Sequence, residues 1–273
     1  MGGWILNDGD PAWGRLSVPG QDFPMPEVFT WVYILPPLAI LVLTQWGFPV
    51  STSFLMLSTF QFSNILELIQ ISLTGYILAF GIGLGTYSFS LWMLEWWVFY
   101  SSQNGQVVGF VWVVWQWLGT GFLWSMWLIQ DLASVFVFLP RELDLVPMVT
   151  CSLLLCLRLS LLIVTDGSPV HALLRLKTNT FDVRSVIMID LLFGLCLLCM
   201  ASLSTFPLST TWVFLGLIGG REIALRINQQ QYDSNLINPE GGCFIQAVGG
   251  DLCKAGTGLL LSILIALSLQ LLI

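Results

Sequence analysis

Long apolar runs almost free of charge are the feature that most constrains this chain. The 35 residues between Glu95 and Asp131 carry no charged side chain at all. A helix needs about 20 mostly apolar residues to cross a bilayer, and several runs reach that length. Over the whole chain 56% of residues are hydrophobic and 9% are charged, against roughly 25% charged in soluble domains. The sequence therefore predicts an all-α fold, a polytopic transmembrane helix bundle in a lipid bilayer.

The charge balance and the reactive residues exclude several functions. The chain has nine Lys/Arg and sixteen Asp/Glu, with a net charge of −7, so no basic stripe is expected to meet nucleic acid. The only histidine is His171, and Cys196 and Cys199 lie in an apolar run where packing is the simplest interpretation. We expect no metal site, no cofactor and no enzymatic activity.

The chain divides into two parts by composition. Residues 1–27 are polar and rich in Gly and Pro, and are predicted to lie outside the hydrocarbon. Residues 28–273 are predicted to form a single transmembrane domain: a first repeat over 28–88, connecting helices and a loop over 89–183, and a second repeat over 184–273. The loop at 166–184 carries Arg175, Lys177 and Arg184, which favours a cytoplasmic location by the positive-inside rule.

Two apolar runs are interrupted by proline followed by Ser-Thr, in "GFPVSTSFLML" at 47–57 and "TFPLSTTWVFL" at 205–215. Proline favours a helix start, and Ser or Thr beside it can cap the new helix. A helix that begins inside a membrane offers unpaired N–H groups and a partial positive charge, which together suit an anion. The alternative is a pair of proline kinks whose hydroxyls bond back to their own helix. The candidate anion-binding residues are Ser51, Thr52, Ser209, Thr210 and Thr211.

The two interrupted segments lie in matching contexts. Each follows a long apolar run and precedes a short helix, a polar patch and a closing helix rich in Leu and Ile. About three spanning segments separate them, and an odd number places the two units in opposite orientations. Such inverted repeats with re-entrant or broken helices are the common construction of secondary transporters. In the first closing helix, Gly75, Gly81, Gly83 and Gly85 are predicted to allow close helix approach.

Asp131 is the candidate for binding a coupling cation. A carboxylate inside an apolar run is costly and indicates function. Gln130 and Ser134 supply neighbouring oxygen atoms, so the three residues suit Na⁺ or a proton relay on Asp131. The alternative is an ion pair of Asp131 with Arg141 or Arg158.

At these residues the chain resembles the inorganic phosphate transporter (PiT) family, as a divergent bacterial branch. That family carries P-V-S-T-T-H-type segments in re-entrant hairpins and two G-A-N-D-V-A-N-type segments on spanning helices. Residues 49–52 (Pro-Val-Ser-Thr) and 207–211 (Pro-Leu-Ser-Thr-Thr) match the first pattern, and residues 130–134 (Gln-Asp-Leu-Ala-Ser) match the second with Gln and Ser in place of the two Asn. The resemblance implies cotransport of phosphate or a similar oxyanion with Na⁺ or H⁺ across the bacterial inner membrane, and it allows for a homodimer.

The chain also departs from the family's pattern. Phe54 and Trp212 stand near the places of the family's histidine, and no Asp-bearing segment precedes the first Pro-x-Ser-Thr unit. Either the first helices lie outside this chain, or the branch has lost half of its ion site. The second hypothesis for function is therefore a membrane scaffold, sensor or partner subunit that keeps the fold without transporting.

Overall fold

The computed structural model describes residues 9–17, 23, 30–46, 48, 50–101, 110–164, 183–203, 209–232 and 244–271. These residues form eight α-helices and two short 3₁₀ turns, so the all-α prediction is confirmed for this part of the chain. The loop at 166–184 and His171 lie outside the described residues, apart from the first turn of one helix. The helices are α1 (Leu35–Gln45), α2 (Thr52–Phe60), α3 (Ile65–Ser101), α4 (Phe110–Phe136), α5 (Leu145–Val164), α6 (Val183–Leu203), α7 (Thr210–Tyr232) and α8 (Phe244–Gln270).

The proline pair in the first apolar run limits its helix. A 3₁₀ turn covers Trp31–Ile34, and the α-helix begins only at Leu35, with Pro36 in its first turn. Proline is favourable there, because first-turn N–H groups have no partner within the helix. The helix α1 therefore has 11 residues, about 16 Å of length, which is short of a bilayer crossing.

Helices α3 and α7 run parallel along each other. The rings of Tyr76 and Trp212 meet edge to face with centroids 5.9 Å apart. Further along both helices, the guanidinium of Arg221 lies 5.7 Å from the centroid of the Tyr87 ring. The contacts thus advance in the same direction along both chains, as they do between parallel helices.

Glycines bring the backbones of α3 and α7 into contact. A Cβ on Gly83 would lie 2.6 Å from the carbonyl oxygen of Leu217, and a Cβ on Gly220 would collide with the carbonyl oxygen of Phe80. The close approach predicted for the first closing helix thus occurs at Gly83. A Cβ on Gly81 or Gly85 would meet no atom within 4 Å, because these two glycines point away from α7.

Helices α4 and α6 form a second parallel pair. A Cβ on Gly119 would contact the Leu191 side chain at 3.6 Å, and Thr120 donates a hydrogen bond of 2.6 Å to Asp190. About three turns further along, the Gln130 side chain reaches the carbonyl oxygen of Leu197 at 3.5 Å. The pair α4–α6 carries Asp131, and the pair α3–α7 carries the second Ser-Thr segment.

The N-terminal segment packs into the core. Ala12 and Leu16 are fully buried, in one apolar cluster with Phe54 of α2 and Phe136 of α4. Two backbone N–H groups, of Ala12 and Gly14, donate to the Asp10 carboxylate at 2.8 Å each, which fixes the turns at 9–17. The sequence predicts that residues 1–27 lie outside the hydrocarbon because they are polar and rich in Gly and Pro, and the described part, 9–17 and 23, packs against α2 and α4.

One described helical stretch, Phe62–Phe89, is long and apolar enough to cross a membrane by length and composition, with a mean hydropathy of 1.8. Four shorter apolar helices accompany it, namely Trp31–Gln45, Leu145–Arg158, Ile187–Ser202 and Gly256–Gln270.

The contact between α3 and α7 predicts a sharp difference between neighbouring glycines. Gly220→Ala should lower the free energy of unfolding by about 1–3 kcal/mol, because its Cβ would lie 2.7 Å from the backbone nitrogen of Leu84 and the helices would have to separate. Gly219→Ala is the matched control, since its nearest atom is 3.5 Å away in the Phe80 ring. Thermal unfolding in detergent measures both variants. Equal midpoints for the two would contradict the proposed backbone contact.

Candidate functional site

Each Pro-x-Ser-Thr segment begins a helix, and a serine caps each start in the same way. The Ser51 hydroxyl accepts the N–H of Phe54 at 3.1 Å at the start of α2. The Ser209 hydroxyl accepts the N–H of Trp212 at 3.4 Å at the start of α7. Both are N-caps that satisfy the third N–H of their helix. The two prolines lie outside the described residues, and α7 has 23 residues, longer than the short helix predicted after Ser209.

The two helix starts meet, although 161 residues separate the contacting residues in the sequence. The hydroxyl of Thr211 lies 3.5 Å from the carbonyl oxygen of Val50, the residue before the Ser51 cap. Ser53 donates to the Asp131 carboxylate at 3.2 Å. Thr210 donates to the same carboxylate, at 3.1 Å from Oδ1 and 3.4 Å from Oδ2. One carboxylate therefore bridges the first turns of α2 and α7.

Trp127 fixes the direction of the Thr210 hydroxyl. The indole Nε1 of Trp127 lies 3.2 Å from Thr210 Oγ1, and an indole N–H can only donate. Thr210 must therefore accept from Trp127 and direct its single hydrogen to Asp131. The chain of donors runs from Trp127 through Thr210 to the carboxylate, an arrangement that stabilises a negative charge on Asp131.

The site keeps donors that the hydrogen bonds among its described residues do not use. A serine hydroxyl that accepts in a cap still has a hydrogen to give, so Ser51 and Ser209 can each donate to a ligand. The first two N–H groups of a helix have no partner within it, and here these belong to Thr52 and Ser53 in α2. Asp131 remains partly accessible. The arrangement offers donors for an anion beside a carboxylate that can hold a cation or a proton.

Two of the predicted cation ligands point away from the Asp131 carboxylate. The Gln130 amide accepts from Arg15 and donates to the carbonyl oxygen of Leu197 at 3.5 Å. The Ser134 hydroxyl donates to the backbone oxygen of Asp131 at 2.6 Å, in the preceding turn of its own helix. The structure thus places Asp131 at the site without bringing Gln130 and Ser134 to its carboxylate.

Arginine pairing of Asp131, the alternative raised by the sequence, is not found among its described contacts. Arg141 donates to the carbonyl oxygens of Phe136 and Leu139, 3.2 Å from each, at the end of α4, and to that of Phe23. The side-chain partners of Asp131 include the hydroxyl groups of Ser53 on α2 and Thr210 on α7. No described arginine therefore neutralises the Asp131 carboxylate by direct contact.

Sequence reasoning missed three residues at or beside the site. Ser53 follows the predicted Ser51 and Thr52, and its place in the same motif was the available signal. Trp127 lies four residues before Asp131, one helical turn away, a spacing that brings side chains onto one face. No sequence pattern indicated Arg15, because it lies in a polar segment 115 residues away from Gln130, the residue that it contacts.

Comparison of this chain with known protein families, curated proteins and solved structures finds no match. The function must therefore be inferred from the chemistry of the two helix starts and Asp131.

The capping serines are expected to stabilise the site's two helices. Ser51→Ala and Ser209→Ala should each lower the free energy of unfolding by about 1 kcal/mol, because each removes the acceptor for a buried N–H. Ser125→Ala on α4 is the control, since this exposed hydroxyl only donates to the carbonyl oxygen of Gly121. Denaturant unfolding in detergent gives the values. A loss no larger than that of the control would rule out capping at that helix.

Proposed function

We propose that this chain is a polytopic membrane protein that cotransports inorganic phosphate, or a similar tetrahedral oxyanion, with Na⁺ or H⁺. The observation that carries the proposal is the meeting of two capped helix starts at one carboxylate. Helix starts favour anions, and a buried carboxylate that contacts no described basic residue favours cations. Both kinds of ligand therefore have groups to bind at the same place.

Exposed apolar side chains support a membrane location. Along α5, Leu153, Leu154, Leu157 and Leu161 are 48–65% exposed. Helices α3 and α8 carry similar residues, such as Ile77 and Leu264, which are 66% and 62% exposed. Apolar surface of this extent is unfavourable in water but suits contact with lipid. We extend the proposal to the bacterial inner membrane, with the loop 166–184 on the cytoplasmic side.

The course of the chain supports two units of opposite orientation. α2 leads away from the site over nine residues, and α3 returns beside α7 until Tyr76 reaches Trp212 near the site. Ile65 and Tyr76 are about 16 Å apart along α3. This is close to the combined length of α2 and the 3₁₀ turn at Phe62–Asn64, so α3 can return to the level at which α2 begins. α7, parallel to α3, leads away from the site on the other side. Two helix starts that face each other in this way fit an inverted repeat with a re-entrant α2.

Asp131 gives a physical basis for coupling. The ionised carboxylate occupies the donors of Ser53 and Thr210, so it competes with any incoming anion for the same hydroxyls. A proton or Na⁺ on Asp131 weakens that competition and removes a repelling charge. Anion binding and cation binding therefore favour each other, which is the thermodynamic requirement for symport.

One observation favours the second hypothesis, a non-transporting scaffold, sensor or partner subunit. Gln130 and Ser134, which were expected to complete the cation site, use their polar atoms elsewhere. A cation would then be held by Asp131 and the hydroxyl oxygens of Ser53 and Thr210 alone. A protein that has lost coupling could retain the fold with such a reduced set.

Uptake by proteoliposomes tests the transport proposal. The purified chain is expected to take up radiolabelled phosphate when an inward Na⁺ or H⁺ gradient is imposed, and Asp131→Asn should abolish the stimulation by the gradient. Glu142→Gln is the control, because it neutralises an exposed carboxylate outside the site. No uptake of phosphate, sulfate or arsenate by the folded protein would contradict transport and favour the second hypothesis.

A further inference from the structure

The indole N–H of Trp127 reaches both members of the hydrogen bond between Thr210 and Asp131. It lies 3.2 Å from Thr210 Oγ1, and it also forms a hydrogen bond with the Asp131 carboxylate. Trp127 and Asp131 are one helical turn apart on α4, so their side chains lie on one face of that helix. The indole packs against the ring of Trp124, with centroids 4.9 Å apart.

An indole N–H differs from a hydroxyl because it cannot reverse its hydrogen bond. The indole nitrogen has a hydrogen to donate and no lone pair with which to accept. A hydroxyl has one hydrogen and can accept through two lone pairs. Trp127 therefore donates to Thr210 whatever the charge of Asp131, and the single hydrogen of Thr210 has to point to another acceptor.

The two hydroxyls that donate to Asp131 differ in this respect. Ser53 donates to Oδ1 at 3.2 Å, and no second side-chain donor contacts its oxygen among the described residues. Thr210 donates to Oδ1 at 3.1 Å and also accepts from Trp127. A hydroxyl that accepts from one donor becomes a stronger donor to its next partner, because hydrogen bonds in a chain polarise one another. The hydrogen of Thr210 is thus directed by a neighbour, whereas that of Ser53 is not.

We propose that Trp127 is the positioning residue that couples the two ligands, because it directs the Thr210 hydrogen to the anion when a cation occupies Asp131. This inference rests on the proposed function and adds the residue that links its two ligands. While the carboxylate is ionised and unoccupied, it is the stronger acceptor and holds the hydrogen of Thr210. A cation on Asp131 weakens that acceptor. Trp127 still occupies the opposite side of the hydroxyl, so its hydrogen becomes available to an oxyanion at the start of α7.

Asp131→Asn gives a direct measure of this coupling, because it removes the negative charge and nearly keeps the shape of the side chain. Sulfate is the probe, since it is tetrahedral and keeps its charge near neutral pH. Its binding to the purified full chain is measured by calorimetry at about pH 8, above the usual range of carboxylate titration, with N-methylglucamine as the buffer cation. Asp131→Asn should raise sulfate affinity by a coupling factor of about 5- to 150-fold, the range typical of linked sites.

Trp127→Phe keeps an aromatic ring and removes the N–H. It should lower the coupling factor about 3- to 10-fold, the loss typical of one hydrogen bond. Thr210→Val, which removes the hydroxyl from a side chain of the same shape, should lower the factor at least as much, and Thr210→Ser should keep it. Trp124→Phe is the control, because Trp124 packs against Trp127 without a described contact to Asp131 or Thr210. It should leave the factor unchanged.

Double substitutions separate positioning from a structural role of the ring. If Trp127 acts through the Thr210 hydroxyl, Trp127→Phe should not change the coupling factor further in the Thr210→Val background. It should keep its full effect in the Ser53→Ala background, since no described contact joins Ser53 to the indole. A ring that only supports the fold would act equally in both backgrounds. If Trp127→Phe does not fold, a tryptophan analogue with sulfur in place of the N–H, introduced at the same position, provides the same test.

The outcomes are distinct. A coupling factor that Trp127→Phe leaves unchanged, or lowers equally in the Thr210→Val and Ser53→Ala backgrounds, would overturn the role of Trp127 and leave the proposed function standing. Failure of sulfate and phosphate to bind both the unaltered chain and Asp131→Asn would overturn the two together.

Discussion

The shared carboxylate of Asp131 is the interaction on which the site depends. Ser53 and Thr210 lie 78 and 79 residues from Asp131 in the sequence, yet both hydroxyls converge on it. Each belongs to the first turn of a helix, where unpaired N–H groups create a partial positive charge. A carboxylate at this position stabilises two helix starts that would otherwise repel each other. In the proposed function, this carboxylate is also the group that a coupling cation would bind.

Backbone contact between helices positions these groups. Gly216, Gly220 and Gly83 let α7 lie directly against α3. This contact sets the position of the α7 start along the axis of α3. On the other side, Gly194 receives the Phe122 ring between α4 and α6, which sets the height of Asp131. The hydrogen bond from Trp127 to Thr210 joins the two helix pairs. Close packing at small residues has few alternative arrangements, so the polar site is held by apolar contacts some distance away.

The sequence predicts local features of this molecule well, such as helix starts, but it predicts poorly which distant residues contact each other. The helix starts after both prolines were predictable, because proline and serine act on the neighbouring backbone. Asp131 was identifiable because it ends a long run without charge. Gln130 and Ser134 were assigned to the same cation because they are close in sequence, but side chains on consecutive helical positions point about 100° apart. The rotation of α4 about its axis is decided by packing with α2, α6 and α7. That rotation brings Ser53, rather than Gln130, to the Asp131 carboxylate. Arg15 shows the same limit, since no local pattern indicates which distant helix a polar segment will meet.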